Sequence, residues 1–427
     1  MRDGEESPFE GRRYGTALPK GLPSAVDLRV YASMLQSDRI RLVHLITGLE
    51  IGGAERMLVK LVTHMDRARF DNLVVSMAPF GPLAGELRDS GIPVASLGIE
   101  RNQVLPRGLF RLVGLLRGAA ILQTWLYHSD LLGTLAGTIA GTPTVLWNLR
   151  CSDMDMSAYR LRSRIVLALL VRLSRFQELV LANSRAAKEA HERLGYRPHE
   201  WRIVPNGFDL SRFRPDREAR AAVRRELGVA ESEILIGLPA RFDPMKDHGT
   251  FFRAAGRLAR DGARIRFVAF GKDVARGNAA LDELVRSNGV AQSTLLLGVR
   301  DDVPRLLNAL DICTLCSAFG EGFPNVLGEA MATEIPCVGT SVGDVPEILG
   351  ATGKVVPPRN PEALAAAWRG FIDAGAEARA AAGAAARKRV IEKFSLEDVV
   401  RQYEELFAEI ARRRAPRDGS ARTDRRR

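Results

Sequence analysis

Short apolar runs recur through this chain, each followed by a turn of small or polar residues and then by a segment with helical spacing. Arg41–Thr47, Leu73–Met77, Ile92–Leu97, Ala120–Trp125, Thr144–Leu149 and Leu179–Ala182 read as strands in the first half. Ile234–Leu238, Ile265–Phe270, Thr294–Leu297, Ala309–Cys316 and Pro336–Gly339 do so in the second. Strands separated by helices are joined by crossovers, so the pattern predicts parallel sheets with helices on both faces. A length of 427 residues allows two such units. The expected division is a polar extension over 1–39, a first α/β domain over 40–209, a charged linker over 210–231 and a second α/β domain over 232–394. A last helix over 395–412 opens on a capping signal, Ser395 followed by Asp398. A basic tail over 413–427 ends the chain.

The second domain carries the most informative stretch, Phe319–Ala332 (FGEGFPNVLGEAMA). It joins the apolar run ending at Cys316 to a helix in which Val326, Leu327, Ala330 and Met331 recur at helical spacing. Pro324 suits the first helical turn, where its missing N–H is no loss. Free amides and the helix dipole at such a junction favour an anion. Glu321 lies in the loop and Glu329 in the helix, eight positions on. With about 1.5 Å of rise per residue, the two carboxylates fall on either side of that anion site. A ligand with hydroxyls at both ends of a diphosphate, a sugar and a ribose, fits this pattern.

Three other junctions carry candidate residues. Arg241 and Lys246 flank the loop after Ile234–Leu238, where a guanidinium fork and an ammonium point charge suit a diphosphate. Gly52 and Gly53 form the turn after the first strand and allow close backbone approach to a ligand. His128 follows the strand Ala120–Trp125, at the carboxyl end where open α/β sheets hold their ligands. Asn206-Gly207 in the string Pro205–Asp209 reads as a turn and is given no chemistry.

Glu321 and Glu329 with the intervening GFPNVLG resemble the E-x7-E element of family 4 retaining glycosyltransferases, which have the GT-B fold. Arg241-x4-Lys246, the GGAE loop at 52–55 and the PNG-x-D string at 205–209 resemble further elements of that family, so the likeness spans roughly residues 40–410. It implies two Rossmann-like, doubly wound domains facing a cleft, with the last helix crossing back onto the first domain. It implies transfer of a sugar from a nucleotide diphosphate donor to a hydroxyl acceptor, with retention and no metal or other cofactor. Glu329 would bind the ribose and Glu321 the donor sugar. Arg241, Lys246 and the amides near Asn325 would neutralise the leaving diphosphate, with Gly52, Gly53, Gly322, Phe323 and Val326 lining the donor. Many members carry a cleft histidine, which His128 would supply unless Trp125 occupies that place. A glycan or lipid-linked acceptor in surface-polysaccharide assembly is the implied partner. A nucleotide-sugar epimerase, a phosphorylase of the same fold and a non-catalytic nucleotide-sugar-binding subunit are the alternatives.

Composition removes other classes. The four cysteines follow no secretory signal, which favours a reducing, cytoplasmic setting. Cys313 and Cys316 stand three apart in a strand and so face opposite ways, unlike metal or redox pairs. No apolar run is long enough to span a bilayer. The net charge is +11, and the last seventeen residues hold eight Arg and two Asp, a solvated tail or a foothold on an anionic membrane. Aromatics make up 6% with no aromatic–basic interleaving, so no nucleic-acid partner is expected. Arg160–Phe176 interleaves basic and apolar residues, which suits either a surface helix with one stripe on the core or a helix lying on anionic lipid.

Overall fold

A computed structural model of the chain describes residues 39–99, 105–142, 144–151, 161–259 and 264–414. All but the last residue of the extension expected over 1–39, and most of the basic tail, lie outside these residues.

The first sheet has seven parallel strands: β1 (Ile40–Ile46), β2 (Phe70–Ser76), β3 (Val94–Ser96), β4 (Ile121–Trp125), β5 (Thr144–Leu149), β6 (Leu179–Ala182) and β7 (Glu200–Ile203). Their order is β3-β2-β1-β4-β5-β6-β7. The second sheet has six parallel strands: β8 (Ile234–Pro239), β9 (Ile265–Phe270), β10 (Thr294–Leu296), β11 (Ile312–Leu315), β12 (Cys337–Thr340) and β13 (Lys354–Val356), in the order β10-β9-β8-β11-β12-β13. Both are doubly wound sheets in which the strand order reverses at the first strand. The expected fold class, two Rossmann-like domains, is what the chain adopts.

Burial explains why the strands read as continuous apolar runs. All five residues of β4 are buried, as are all seven of β2. One face of the first sheet is covered by α1 (Gly53–His64), α2 (Leu83–Asp89) and the last helix, and the other by α3 (Leu105–Leu115), α4 (Tyr127–Ala140) and α5 (Leu161–Ser174). In β11, Cys313 and the following Cys316 fall in different core clusters, on opposite faces of the second sheet, as their offset requires. All four cysteines are free thiols.

Two expectations need correction. The stretch 210–231 is more than a linker. It contains α7 (Arg217–Glu226), capped by Asp216, and places Phe213, Val223 and Val229 in the core of the second domain. Its polarity misled because Arg224 is buried with its charge neutralised by Asp311 (3.0 Å), and Arg220 also pairs with Asp311 (2.9 Å). The string from Ile203 to Asp209, which reads as a strand ending in a turn, is also different: the strand β7 ends at Ile203, and Pro205–Asp209 is the crossing between domains. Nothing in the sequence marked β13, a three-residue edge strand beyond β12.

The last helix, α15 (Leu396–Arg414), returns to the first domain and buries Leu396, Val399, Tyr403, Phe407 and Ile410 against α1 and β1. Each such side chain contributes roughly 1.5–3 kcal/mol. Ser395 caps it, its Oγ accepting from the Asp398 amide (3.2 Å). The outward and return crossings are tied together: Phe208 N–H donates to Phe394 O (2.9 Å) and Leu396 N–H to Phe208 O (3.0 Å). The domains therefore meet through a two-stranded junction rather than a single tether.

Candidate active site

In a doubly wound sheet the crevice opens where the strand order reverses, outside the carboxyl ends of the two central strands. In the second domain these are β8 and β11. The loop after β8 carries Arg241 and Lys246, and the loop after β11 carries Glu321 and Gly322. In the first domain the central strands are β1 and β4; Gly52-Gly53, at the start of α1, follow the one, and His128, in the first turn of α4, follows the other. All four junctions singled out in the sequence thus lie at the two reversal points, which face each other.

Two helix N-termini meet across this cleft. Helix α1 starts at Gly53 and α11 (Asn325–Ala332) starts after Pro324. A Cβ added at Gly53 would stand 3.7 Å from Asn325 Nδ2, so little separates the two ends. Between the domains lies a cavity of about 440 Å³ lined by Gly52, Gly53, Arg241, Asn325, Val326 and Glu329. Arg56, Lys60 and Arg212 add cations to its wall. Two dipoles and this excess of positive charge favour an anion there.

Lys246 and Glu321 are not among the residues lining this cavity; they form a pair, Nζ to Oε1 at 2.5 Å, and Ser317 Oγ–H also donates to that oxygen at 2.5 Å. Both partners are largely buried. Lys246 is placed by a short 3₁₀ turn, Pro244–Lys246, capped by Asp243, whose other oxygen accepts from Arg241 Nε (3.2 Å). Arg241 itself is about half exposed. Burial pushes the Glu329 carboxyl up from its ordinary value, while Lys60, Arg212 and Arg56 hold it down. Burial pushes Lys60 down in turn, against the attraction of Glu329.

Phe323 stands apart from the other candidates. Its ring is buried, stacked near Phe208 (6.1 Å between centroids) and edge-on to Phe394 (5.3 Å), so its side chain belongs to the core. Gly322 meets the first domain: a Cβ there would lie 3.4 Å from Asn183 Oδ1. Trp125 is fully buried, whereas His128 is exposed in the first turn of α4. The residue between them, Leu126, holds φ +75°, a strained value for a branched side chain that turns the chain sharply into the helix.

Several residues escaped the sequence reading. Arg56 and Lys60 are three and seven positions after Gly53, on the face of α1 that its cleft-side start already defined. Asn206 accepts from Arg150 (2.5 Å) and donates to Asn325 Oδ1 (2.6 Å) and Phe323 O (3.2 Å), so the PNG-x-D turn fixes the start of α11. Arg150 also lies over the Trp125 ring (5.1 Å) and donates to Tyr403 of α15 (3.5 Å). Asp344 bridges the domains through amides of α6 (Arg185–Leu194).

Comparison with known proteins agrees with this geometry. Residues 51–212 match the model of Glycosyltransferase Family 4, and residues 233–373 that of Glycosyl transferases group 1. The chain belongs to glycosyltransferase family 4. It is a glycosyltransferase of the hexosyltransferase type. It is 27% identical over 325 residues to the putative glycosyltransferase EpsF of Bacillus subtilis, covering 71% of this chain and 80% of that protein. The UDP-Gal:alpha-D-GlcNAc-diphosphoundecaprenol alpha-1,3-galactosyltransferase of Escherichia coli is 23% identical over 317 residues, with the same coverage of 71% and 80%. Among solved structures, Anabaena HepE in complex with UDP superposes with a TM-score of 0.76 at 22% identity, covering 86% of this chain and all of that one. That likeness establishes the GT-B fold of this glycosyltransferase.

Proposed function

We propose that this glycosyltransferase transfers a sugar from a nucleotide diphosphate sugar, without a metal and with retention of configuration, to a lipid-linked glycan in surface-polysaccharide synthesis. The observation that carries the donor reading is the facing pair of helix N-termini, with Lys246 and Arg241 on one side and Glu329 on the other. The diphosphate would lie at the start of α11, neutralised by the amides near Asn325 and the two cations. Glu329 would accept from the ribose hydroxyls. The Lys246–Glu321 pair serves twice: Glu321 would orient the ammonium toward the leaving phosphate and would bind a hydroxyl of the donor sugar. Charge developing on the phosphate in the transition state then meets preorganised positive groups. For retention, the departing phosphate oxygen would take the proton of the acceptor hydroxyl on the same face of the sugar. Asn206 and Arg150 act as positioning residues for Asn325.

The acceptor class is supported by the Escherichia coli relative, a galactosyltransferase acting on a diphosphoundecaprenol-linked sugar. The test is a thermal-shift panel of UDP-, GDP- and ADP-sugars followed by NMR of the product formed from the binding donor. A raised melting point with one base and an anomeric configuration matching the donor are expected. An inverted product would overturn retention, and epimerised sugar or sugar phosphate would favour the alternative enzymes.

A further inference from the structure

Asn183 follows β6 at its carboxyl end, one residue before the Ser184 that caps α6. It is 3% exposed, and its Oδ1 has no hydrogen-bond partner among the described residues. A buried carbonyl oxygen left unpaired is costly, so one that persists calls for an explanation. Asn206, also buried at the cleft, needs none: it accepts from Arg150 and donates to Asn325 Oδ1 and Phe323 O. The side chain of Asn183 makes no such bonds, and it faces the loop that carries Glu321.

The residue it faces is Gly322. Two neighbouring glycines are required where they stand. Gly320 holds φ +79°, and a Cβ on Gly328 would come within 2.1 Å of the Phe208 ring. Gly322 has neither reason. Its φ lies outside the left-handed region. An added Cβ would meet Asn183 Oδ1 at 3.4 Å, Ser184 Oγ at 3.5 Å and Arg150 O at 3.7 Å, all ordinary contacts. A methyl group therefore fits between Gly322 and the end of β6, in a slot walled by polar atoms. Glycine with no cause in backbone or packing marks a place where a ligand comes close to the main chain.

We propose that Asn183 is a specificity-determining residue of this glycosyltransferase, and that the slot between it and Gly322 receives a hydroxyl group of the donor sugar. The walls decide the chemistry. Asn183 Oδ1 and Arg150 O accept, and the Ser184 hydroxyl, whose oxygen already accepts from the Ala187 amide, has its proton to give. A sugar hydroxyl both donates and accepts, so it satisfies this set. A phosphate only accepts, and its charge would stand against two carbonyl oxygens. The donor sugar is the source because Asn183 and Gly322 are both buried and border Glu321, the carboxylate proposed to bind that sugar. An acceptor must reach the sugar from the open side of the cleft. Asn183 belongs to the first domain and Gly322 to the second, so the slot is complete only where the domains meet. This inference rests on the donor reading proposed above.

The test is calorimetric titration of three proteins: the natural chain, Asn183→Ala and Gly322→Ala. The probes are the bare nucleoside diphosphate and the nucleotide sugar that the panel of UDP-, GDP- and ADP-sugars selects, together with the single-deoxy forms of that sugar. The bare nucleotide is expected to bind all three proteins alike, which also shows that the fold and the diphosphate site are kept. The Kd of the nucleotide sugar should rise about five- to tenfold in both variants, the loss of one buried hydrogen bond. One deoxy form should weaken binding to the natural chain by a similar factor and weaken Asn183→Ala no further. A nucleotide-sugar Kd unchanged in either variant, a natural chain indifferent to every deoxy form, or a bare-nucleotide affinity that falls along with that of the nucleotide sugar overturns the proposal and leaves the donor reading standing. Failure of the natural chain to bind any of the nucleotides overturns the donor reading itself, and this inference with it.

Discussion

Asp344, in the second domain, accepts a hydrogen bond from the backbone amide of Arg185, in the first, at 2.8 Å, and its other oxygen accepts from the next amide, Ala186, also at 2.8 Å. Ser184 accepts from Ala187 at 2.9 Å, so the orphan donors at the start of α6 are satisfied partly by their own chain and partly from across the cleft. Asp344 in turn donates its own amide to Gly322 O (2.9 Å), beside Glu321. Closure of the domains and placement of Glu321 are thereby linked. Asp344→Ala is expected to cost about 1 kcal/mol of stability, as cap losses do, and to raise the donor KM several-fold. Steady-state kinetics with small-angle scattering would check it, and an unchanged KM with an unchanged radius of gyration would refute the link.

Lys246→Ala tests the charge proposed to meet the leaving group. The substitution leaves Glu321 bonded to Ser317 and removes the ammonium. Loss of a preorganised charge of this kind lowers kcat by about 10²–10³. The melting point without ligand is expected to fall as well, because the substitution leaves a largely buried carboxylate without its ammonium. Single-turnover rates report the effect, and full turnover in this variant would remove Lys246 from the catalytic machinery.

Gly343 tests how tightly Glu321, the carboxylate proposed to bind the donor sugar, is held. Its φ is +59°, and a Cβ there would come within 2.1 Å of Glu321 O. Backbone strain alone costs an L-residue about 1–2 kcal/mol in this region. The clash falls on backbone, which cannot swing away as a side chain would. Gly343→Ala should therefore lower the melting point and displace Glu321, giving a loss of activity larger than that of Asp344→Ala. Parallel thermal and kinetic assays would decide whether the two effects appear together.

Much of this was legible in the sequence, for a reason that the two sheets make plain. Parallel strands buried on both faces are predominantly apolar, so β4, β5, β6, β9 and β11 declared themselves. The residues at the strand ends were found because loops at reversal points need glycine, proline and charge, which stand out against apolar strands. What stayed hidden depended on partners distant in sequence. Arg224 reads as a solvated linker residue until Asp311 is placed beside it. Phe323 sits within a donor motif, yet packs against Phe208 and Phe394, which approach only when the two crossings pair. Asn206 reads as a turn former until Asn325 is brought to it.

Lys60 and Glu329 give a prediction in pH. Burial raises the Glu329 carboxyl, and Lys60 is the first of the cations opposing that rise. If the ionised carboxylate accepts from the ribose, donor affinity is full above the Glu329 pKa and weakens as pH falls through it. Removing the lysine raises that pKa further. The acid limb of donor KM should then move to higher pH in Lys60→Met, while Glu329→Gln should show a raised KM without that limb. Donor KM measured across pH 4.5–8 for the three proteins would show it, and a limb that stays in place in Lys60→Met would separate Lys60 from the donor site.

Acid stability follows from three histidines held neutral inside the fold. Burial lowers His44, His191 and His248 each to about 4 from the ordinary value of 6.5. His44 sits between Asn72 (2.9 Å) and Gln123 (3.0 Å), and His191 between Ala187 O (2.7 Å) and the Tyr127 hydroxyl (2.7 Å). The unfolded chain takes up a proton at each below about pH 6.5, and the folded chain does so only near 4, so the unfolded state binds more protons in between. Stability should be flat above pH 7, fall as pH drops from 6.5 to 4, and level off below 4 as far as these groups are concerned. At pH 5 each fully buried ring accounts for roughly 2 kcal/mol of the loss. Urea midpoints at pH 7.5, 6 and 5 would measure it. A midpoint that does not move over that interval would mean these rings are solvated or already charged in the folded protein.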